Sequence, residues 1–178
     1  MSAVTHDEAH AAANKTYALQ PLERHAIPEN HPVAVFAGWY DEFRKGHLLP
    51  DELVLLAQPG VRQLLRWVRH VEPVEVEGVV DFYVLSQGDE LGENSSDHIR
   101  EGWMSDTLDE EFVESRYYEA ITASVLRKPM FSRGTVPSLQ RAFIMQYRGV
   151  FPLYAENHAR LRLAIIAAET YAAVDGDD

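Results

Sequence analysis

Cysteine is absent from the 178 residues of this chain. The absence excludes disulfide bonds, thiolate catalysis and zinc or iron–sulfur sites built on cysteine. Long apolar runs are also missing, because no stretch approaches the roughly 20 apolar residues of a membrane-spanning helix, and residues 1–30 lack the apolar segment of a signal peptide. The sequence therefore predicts a cytoplasmic protein without a membrane partner.

Positive charge is scarce. The chain has 16 Lys and Arg against 28 Asp and Glu, which gives a net charge of -12 and a pI near 5.0. Such a charge opposes binding to phosphate backbones and to anionic lipid. The one group of arginines at helical spacing is followed at once by three glutamates, so it forms no basic patch. Nucleic acid is excluded as the expected partner.

The overall composition is that of one globular domain, with 46% hydrophobic and 25% charged residues. Residues 1–30 show no sustained periodicity and are interpreted as a mobile N-terminal arm. The domain is predicted over 31–171, and an acidic tail over 172–178.

Three helical regions are predicted. The first starts at His31-Pro32, a polar cap followed by proline, and carries an apolar stripe at i, i+3, i+4 and i+7. The second follows Leu49-Pro50, with a stripe that continues through Val68 until Pro73 stops it. The third covers 109–128, where Thr107 and Glu110 form a capping box and Pro129 ends the helix.

Alternation and turn signals predict five strands, over 74–77, 80–87, 130–135, 139–151 and 159–171. The fourth is expected to break at Pro152-Leu153 before the last strand begins. Together with the helices this predicts the α+β class.

Several short motifs occur in the order and spacing of a known family. They are Trp39, Leu49-Pro50, Leu64-Leu65, Asp81-Phe82 followed by Gly88, and Pro152-Leu153. In these features the chain resembles the stand-alone bacterial PAS-like proteins, although Tyr83 and Leu85 stand where that family has Arg, and Asp89 where it has Thr. The resemblance covers about 31–171.

The resemblance implies a five-stranded antiparallel sheet cupped around short helices, with an N-terminal helix outside. It also implies a sensor or adaptor in bacterial signalling that is not an enzyme and acts through protein contacts. Two alternatives are open for the interior: it contains a cavity that binds a small organic ligand, or it is a fully packed core. Inward-facing positions are the candidate lining: Phe82, Val84, Tyr117, Ile121, Phe143, Met145, Tyr147, Leu163 and Ile165.

No cofactor or metal is expected. Flavin photochemistry of the light-sensing kind needs a thiol, and a haem in this family usually takes an axial His from the middle helix, whereas 109–128 has none and His98 precedes it. His6 and His10 have helical spacing, but Asp7 stands where a zinc protease has Glu. Ser96-Asp97-His98 has the residue types of a catalytic triad but not its separation along the chain.

An enzyme is the alternative function. A cone fold like that of ketosteroid isomerase also pairs helices with a curved sheet, and it needs a carboxylate of raised pKa facing a tyrosine. Asp81 or Asp89 with Tyr147 is the combination that the sequence offers.

A homodimer is the predicted assembly. The stripe on the first helix can pack on its own sheet or face a second subunit, and two aromatic residues lie beside it. The predicted contact comprises Val33, Phe36, Trp39, Tyr40 and Phe43.

Overall fold

A computed structural model describes residues 18–46, 48–94, 101–106, 108–136, 144–156 and 158–174. It confirms the α+β class. The sheet, however, has seven strands rather than five, all antiparallel, in the order β1-β5-β6-β7-β2-β3-β4. The two additional strands are short and lie at opposite edges. The strands are β1 Gln20–Leu22, β2 Val68–Val76, β3 Val79–Gln87, β4 Gly102–Trp103, β5 Met130–Thr135, β6 Met145–Ala155 and β7 Arg160–Glu169.

The α-helices cover both faces of this sheet. They are α1 Pro32–Phe43, α2 Glu52–Leu56, α3 Pro59–Arg62, α4 Asp89–Asn94 and α5 Glu110–Leu126. Single 3-10 turns precede β2 and α1 and follow β4. The predicted third helix is thus confirmed as α5, which ends where Arg127 takes the left-handed conformation (φ 54°) and Pro129 follows.

The first helix begins as its sequence predicts. His31 caps α1, because its Nδ1 accepts a hydrogen bond from the backbone N–H of Val33 at 3.2 Å. Its Nε2 lies 3.0 Å from the carbonyl oxygen of Glu169, so the neutral ring satisfies both partners. Burial lowers the pKa of His31, although the backbone contacts oppose that effect. This histidine ties the start of α1 to the end of β7.

Two hydrophobic clusters lie on opposite faces of the sheet. The first joins α1, α2 and α3 to the face of β6 that carries Phe151 and Leu153. The second lies between the sheet and α5, where Ala120 and Ala123 meet Val150 and Leu163. Because successive residues of a strand point to opposite faces, β6 and β7 contribute to both clusters.

The second helical region is only partly helical, which corrects the prediction. It ends at Arg62, a 3-10 turn follows, and β2 starts at Val68. The helical stripe through Val68 was therefore misleading, because β2 pairs with both β3 and β7 here. Tertiary pairing outweighs the local pattern.

Pro73 was expected to end a helix and Pro152 to interrupt a strand, but both lie inside strands. Pro73 lies inside β2, beyond Val71, the last residue that β2 pairs with β7. Pro152 lies inside β6, beyond Val150, the last residue paired with β5. Each proline thus stands where one neighbouring strand has ended, so its missing N–H removes no ladder hydrogen bond.

Parts of the predicted arm and tail contact the domain. Residues 20–22 pair with β5, and Ile27 is buried in the first cluster. The backbone N–H of Val174 donates to the carbonyl of Asn30 at 2.8 Å. Residues 1–17 and 175–178 lie outside the described residues, as do Thr107 of the predicted capping box and His98.

Candidate functional site

Five of the nine predicted lining residues meet on the sheet face that α5 covers, four in the buried cluster and Tyr117 packed against it. Phe82, Val84, Leu163 and Ile165 belong to the second cluster, and the ring of Tyr117 packs edge-on against Phe82 at 5.4 Å. All four are at most 3% exposed. At these positions the side chains fill the interior, which supports the packed-core alternative.

The other predicted lining residues do not join them. Tyr147 packs on the opposite face, where its ring lies 5.1 Å from that of His31. Met145 shares that face by strand alternation, and Ile121 points outward from α5, 38% exposed. Phe143 lies outside the described residues.

Beside the packed cluster lies a buried polar group that sequence reasoning missed. Glu119 of α5 is 4% exposed. One of its carboxylate oxygens accepts a hydrogen bond from the hydroxyl of Ser132 on β5, and the other lies 3.2 Å from Nη2 of Arg148 on β6. The carboxylate thus links the helix to two strands through charge-assisted bonds.

Arg116 stands one helical turn before Glu119 and is 2% exposed. Its Nη2 donates to the carbonyl of Thr135 at 2.7 Å, while Nε and Nη1 have no hydrogen-bond partner among the described residues. Burial lowers the pKa of Arg116; the charge of Arg148 acts in the same direction, Glu119 opposes it, and Arg69 adds to the lowering. Buried N–H groups of a charged side chain are costly when unpaired.

These polar residues, here named the buried arginine cluster, are Arg69, Arg116, Glu119, Ser132, Gln146 and Arg148. Helical spacing explains the inward position of Arg116 and Glu119, because they share a face of α5 with Ala120 and Ala123, both fully buried. On β6, Gln146 and Arg148 flank Tyr147. Because successive side chains of a strand point to opposite faces, these two point away from Tyr147 and toward α5. That alternation was the signal by which the cluster could have been found.

The opposite face of α5 carries an exposed stripe. Tyr118 is 69% and Val125 73% exposed, with Ile121 between them. Glu114, which is also exposed, extends the stripe at its N-terminal end. Large apolar side chains grouped on an exposed helix face mark interaction surfaces.

A groove of about 530 Å³ runs beside this stripe, between α5 and the edge formed by β1 and β5. Its walls are largely apolar, with Glu111, Glu114 and Glu119 as the carboxylates. Glu119, a member of the buried arginine cluster, therefore also lines the groove. Of the predicted lining residues, none lines this groove.

Of the two combinations proposed for the alternative enzyme, the pair of Asp81 and Tyr147 is not brought together. Asp81 lies on the α5 side of the sheet, where its carboxylate accepts hydrogen bonds from Tyr117 and, at 2.6 Å, from Ser105, whereas Tyr147 lies on the other side. Burial acts to raise the pKa of Asp81, but these hydrogen bonds outweigh it and hold the pKa below its usual value. A general base of the isomerase kind needs the reverse shift.

A second polar network fixes the ends of the strands. Glu52, 3% exposed, has Nε2 of His70 at 2.9 Å and Nη1 of Arg162 at 2.7 Å. Burial acts to raise the pKa of Glu52, but these two partners outweigh it and lower the pKa. Since the carboxylate contacts both His70 and Arg162, this network is explained by its role in joining α2 to β2 and β7.

The predicted dimer contact is partly inaccessible. Val33, Phe36 and Tyr40 are fully buried against their own sheet, so they cannot meet a second subunit. The ring of Trp39 stacks on Phe43 and sits so close to Gly60 that a Cβ there would lie 2.5 Å from it.

No family model, curated protein or solved structure matches the chain. Within the described ranges, no group of three or more metal-ligating side chains is present. Among the same residues, no helix is long and apolar enough to cross a membrane.

Proposed function

We propose that the protein is a PAS-like sensor or adaptor of bacterial signalling, located in the cytoplasm, that acts through protein contacts as a homodimer. Its sheet supports this reading. Leaving out the short edge strands, the five long strands run in the order β5-β6-β7-β2-β3, so the first and last of them in sequence, β2 and β7, are neighbours at the centre. Along the chain, two long strands precede α5 and three follow it, which is the order that the PAS-like resemblance implies.

The observation that carries the proposal is the two-sided character of α5. Its inner face contributes Arg116 and Glu119 to the buried arginine cluster, and its outer face presents Tyr118, Ile121 and Val125 to solvent. One rigid helix therefore connects the interior to a surface suited to another protein. A change in the interior that shifts α5 also shifts that surface, which is what a sensor requires.

A second copy of the chain is the occupant that the stripe fits best. In an antiparallel pairing about a two-fold axis near Ile121, Tyr118 faces Val125 of the second copy, because they lie three and four residues from Ile121 on the same helix. The exposed apolar surface of each copy is then covered by that of the other. This contact replaces the predicted one on α1.

Sedimentation velocity tests the contact. We expect the wild type to be dimeric, and Ile121→Glu to be monomeric because it places two carboxylates at the two-fold axis. Leu53→Glu is the matched control, since Leu53 is an exposed apolar residue (74%) on α2, and it should remain dimeric. Added salt should strengthen the wild-type dimer by screening the charge of -12 on each copy.

Two outcomes would contradict the proposed contact. One is a monomeric wild type at all concentrations measured. The other is an Ile121→Glu variant that sediments as the wild type does. Circular dichroism of each variant separates loss of association from loss of folding.

A further inference from the structure

The buried arginine cluster encloses a cavity of about 20 Å³, lined by Arg69, Arg116, Gln146 and Arg148 together with apolar residues such as Met104 and Ile165. A volume of this size holds a single water molecule or an ion of similar size, since about 10–15 Å³ is needed for a water. An organic ligand of even a few heavy atoms does not fit. The cavity therefore selects a single small species.

The charges around this cavity favour an anion over water. Arg116 and Arg148 are both buried, and among the described residues the carboxylate in contact with Arg148 is that of Glu119. Among the described residues, the carboxylate of Glu119 thus faces the two guanidinium groups of Arg116 and Arg148. Arginine keeps its proton in proteins, so the excess charge is not removed by deprotonation.

The donors that such an anion needs are present. Nε and Nη1 of Arg116 are buried and have no partner among the described residues, and both belong to a side chain that lines the cavity. Nε–H and the Nη1 hydrogens lie on different edges of the guanidinium group, so each is a separate charge-assisted donor, and either one can bind a monatomic anion. The amide of Gln146 also lines the cavity, and its orientation can present either an oxygen or an N–H group.

We propose that the cavity is a binding site for a monatomic anion of halide size, held by Arg116 and Arg148 between α5 and the sheet. The bound anion balances the excess positive charge and fixes α5 on β6. The inference does not depend on the sensor function, because an anion held here stabilises the fold whatever the protein signals. It names a ligand class for the interior that differs from the organic ligand considered from sequence.

Unfolding of the wild type in mixtures of sodium bromide and sodium gluconate, at constant ionic strength and pH, tests the proposal. Gluconate is too large for the cavity. We expect the ratio of folded to unfolded protein to rise in proportion to bromide concentration once that concentration exceeds the dissociation constant. Arg116→Met should abolish this dependence, and Arg133→Gln, which removes an exposed arginine on β5, should retain it.

Crystals of the wild type soaked in bromide give a test that needs no variant, in case Arg116→Met does not fold. We expect an anomalous difference peak within hydrogen-bond distance of Arg116 Nε or Nη1. The proposal is overturned if the cavity shows only a water without anomalous signal, or if bromide sites occur only on the surface. It is also overturned if stability is the same in bromide and gluconate.

Discussion

Glu119→Gln is expected to lower the free energy of unfolding by about 3–5 kcal/mol, which is the usual cost of removing one partner of a buried ion pair. The change keeps the shape of the side chain and its ability to accept from Ser132. It removes the negative charge that Arg148 faces at 3.2 Å. Arg148 then loses the carboxylate that it contacts among the described residues. Urea unfolding of both proteins gives the difference.

Two further variants show whether the charge is the cause. Glu114→Gln removes an exposed carboxylate from the same helix and should change the free energy of unfolding by less than about 0.5 kcal/mol. Adding Arg148→Gln to Glu119→Gln should recover part of the loss, because the double variant no longer buries that unpaired cation. If Glu119→Gln is as stable as the wild type, the buried arginine cluster is not the charged arrangement described above.

Phe151→Ala is expected to cost about 3–5 kcal/mol of unfolding free energy. Phe151 is fully buried on β6, and its ring centroid lies 4.8 Å from that of Phe36 and 5.6 Å from that of Phe131. These rings join α1 to the centre of the sheet. Truncation leaves a cavity that the surrounding rings fill only partly, and thermal or urea unfolding measures the loss.

Tyr171→Ala is the control for Phe151→Ala. Tyr171 is an aromatic residue that is 81% exposed, so its truncation should change the free energy of unfolding by no more than about 0.5 kcal/mol. Equal losses for the two variants would mean that the first hydrophobic cluster does not have the packing described.

Local signals located several elements correctly. The capping histidine and proline located α1, Pro129 located the end of α5 to within three residues, and the alternation over 80–87 identified β3 almost to the residue. Each of these signals depends on residues that are close together in sequence, so it can be recognised without knowledge of the fold. The strand 130–135 was predicted with the bounds that β5 has.

The start of β2 could not be obtained in this way. Val68, Arg69, His70 and Val71 are all buried, so polar and apolar residues do not alternate as they do in a half-exposed strand. Two of them are polar because each has a distant partner: Arg69 donates to Gln87, and His70 contacts Glu52. Pairings of this kind are not encoded in local periodicity.

The candidate site was missed for a similar reason. Charged residues are usually exposed, and although strand alternation places Arg148 on the face opposite Tyr147, no local signal indicates that α5 covers that face. Ala120 and Ala123 lack side-chain bulk, so that the helix approaches the sheet closely and buries the polar residues beside them. That approach is a property of the assembled fold.

Because α5 is proposed to connect the interior to the contact surface, an anion bound in the interior should change the affinity of the dimer. Sedimentation equilibrium of the wild type in bromide and in gluconate, at equal ionic strength, tests it most directly. If the anion fixes α5 in the conformation that dimerises, the dimer dissociation constant should be roughly 5-fold or more lower in bromide, within the usual range of coupling between two sites. A folded Arg116→Met protein should show no difference between the two salts. An equal dissociation constant for the wild type in both salts would contradict the claim.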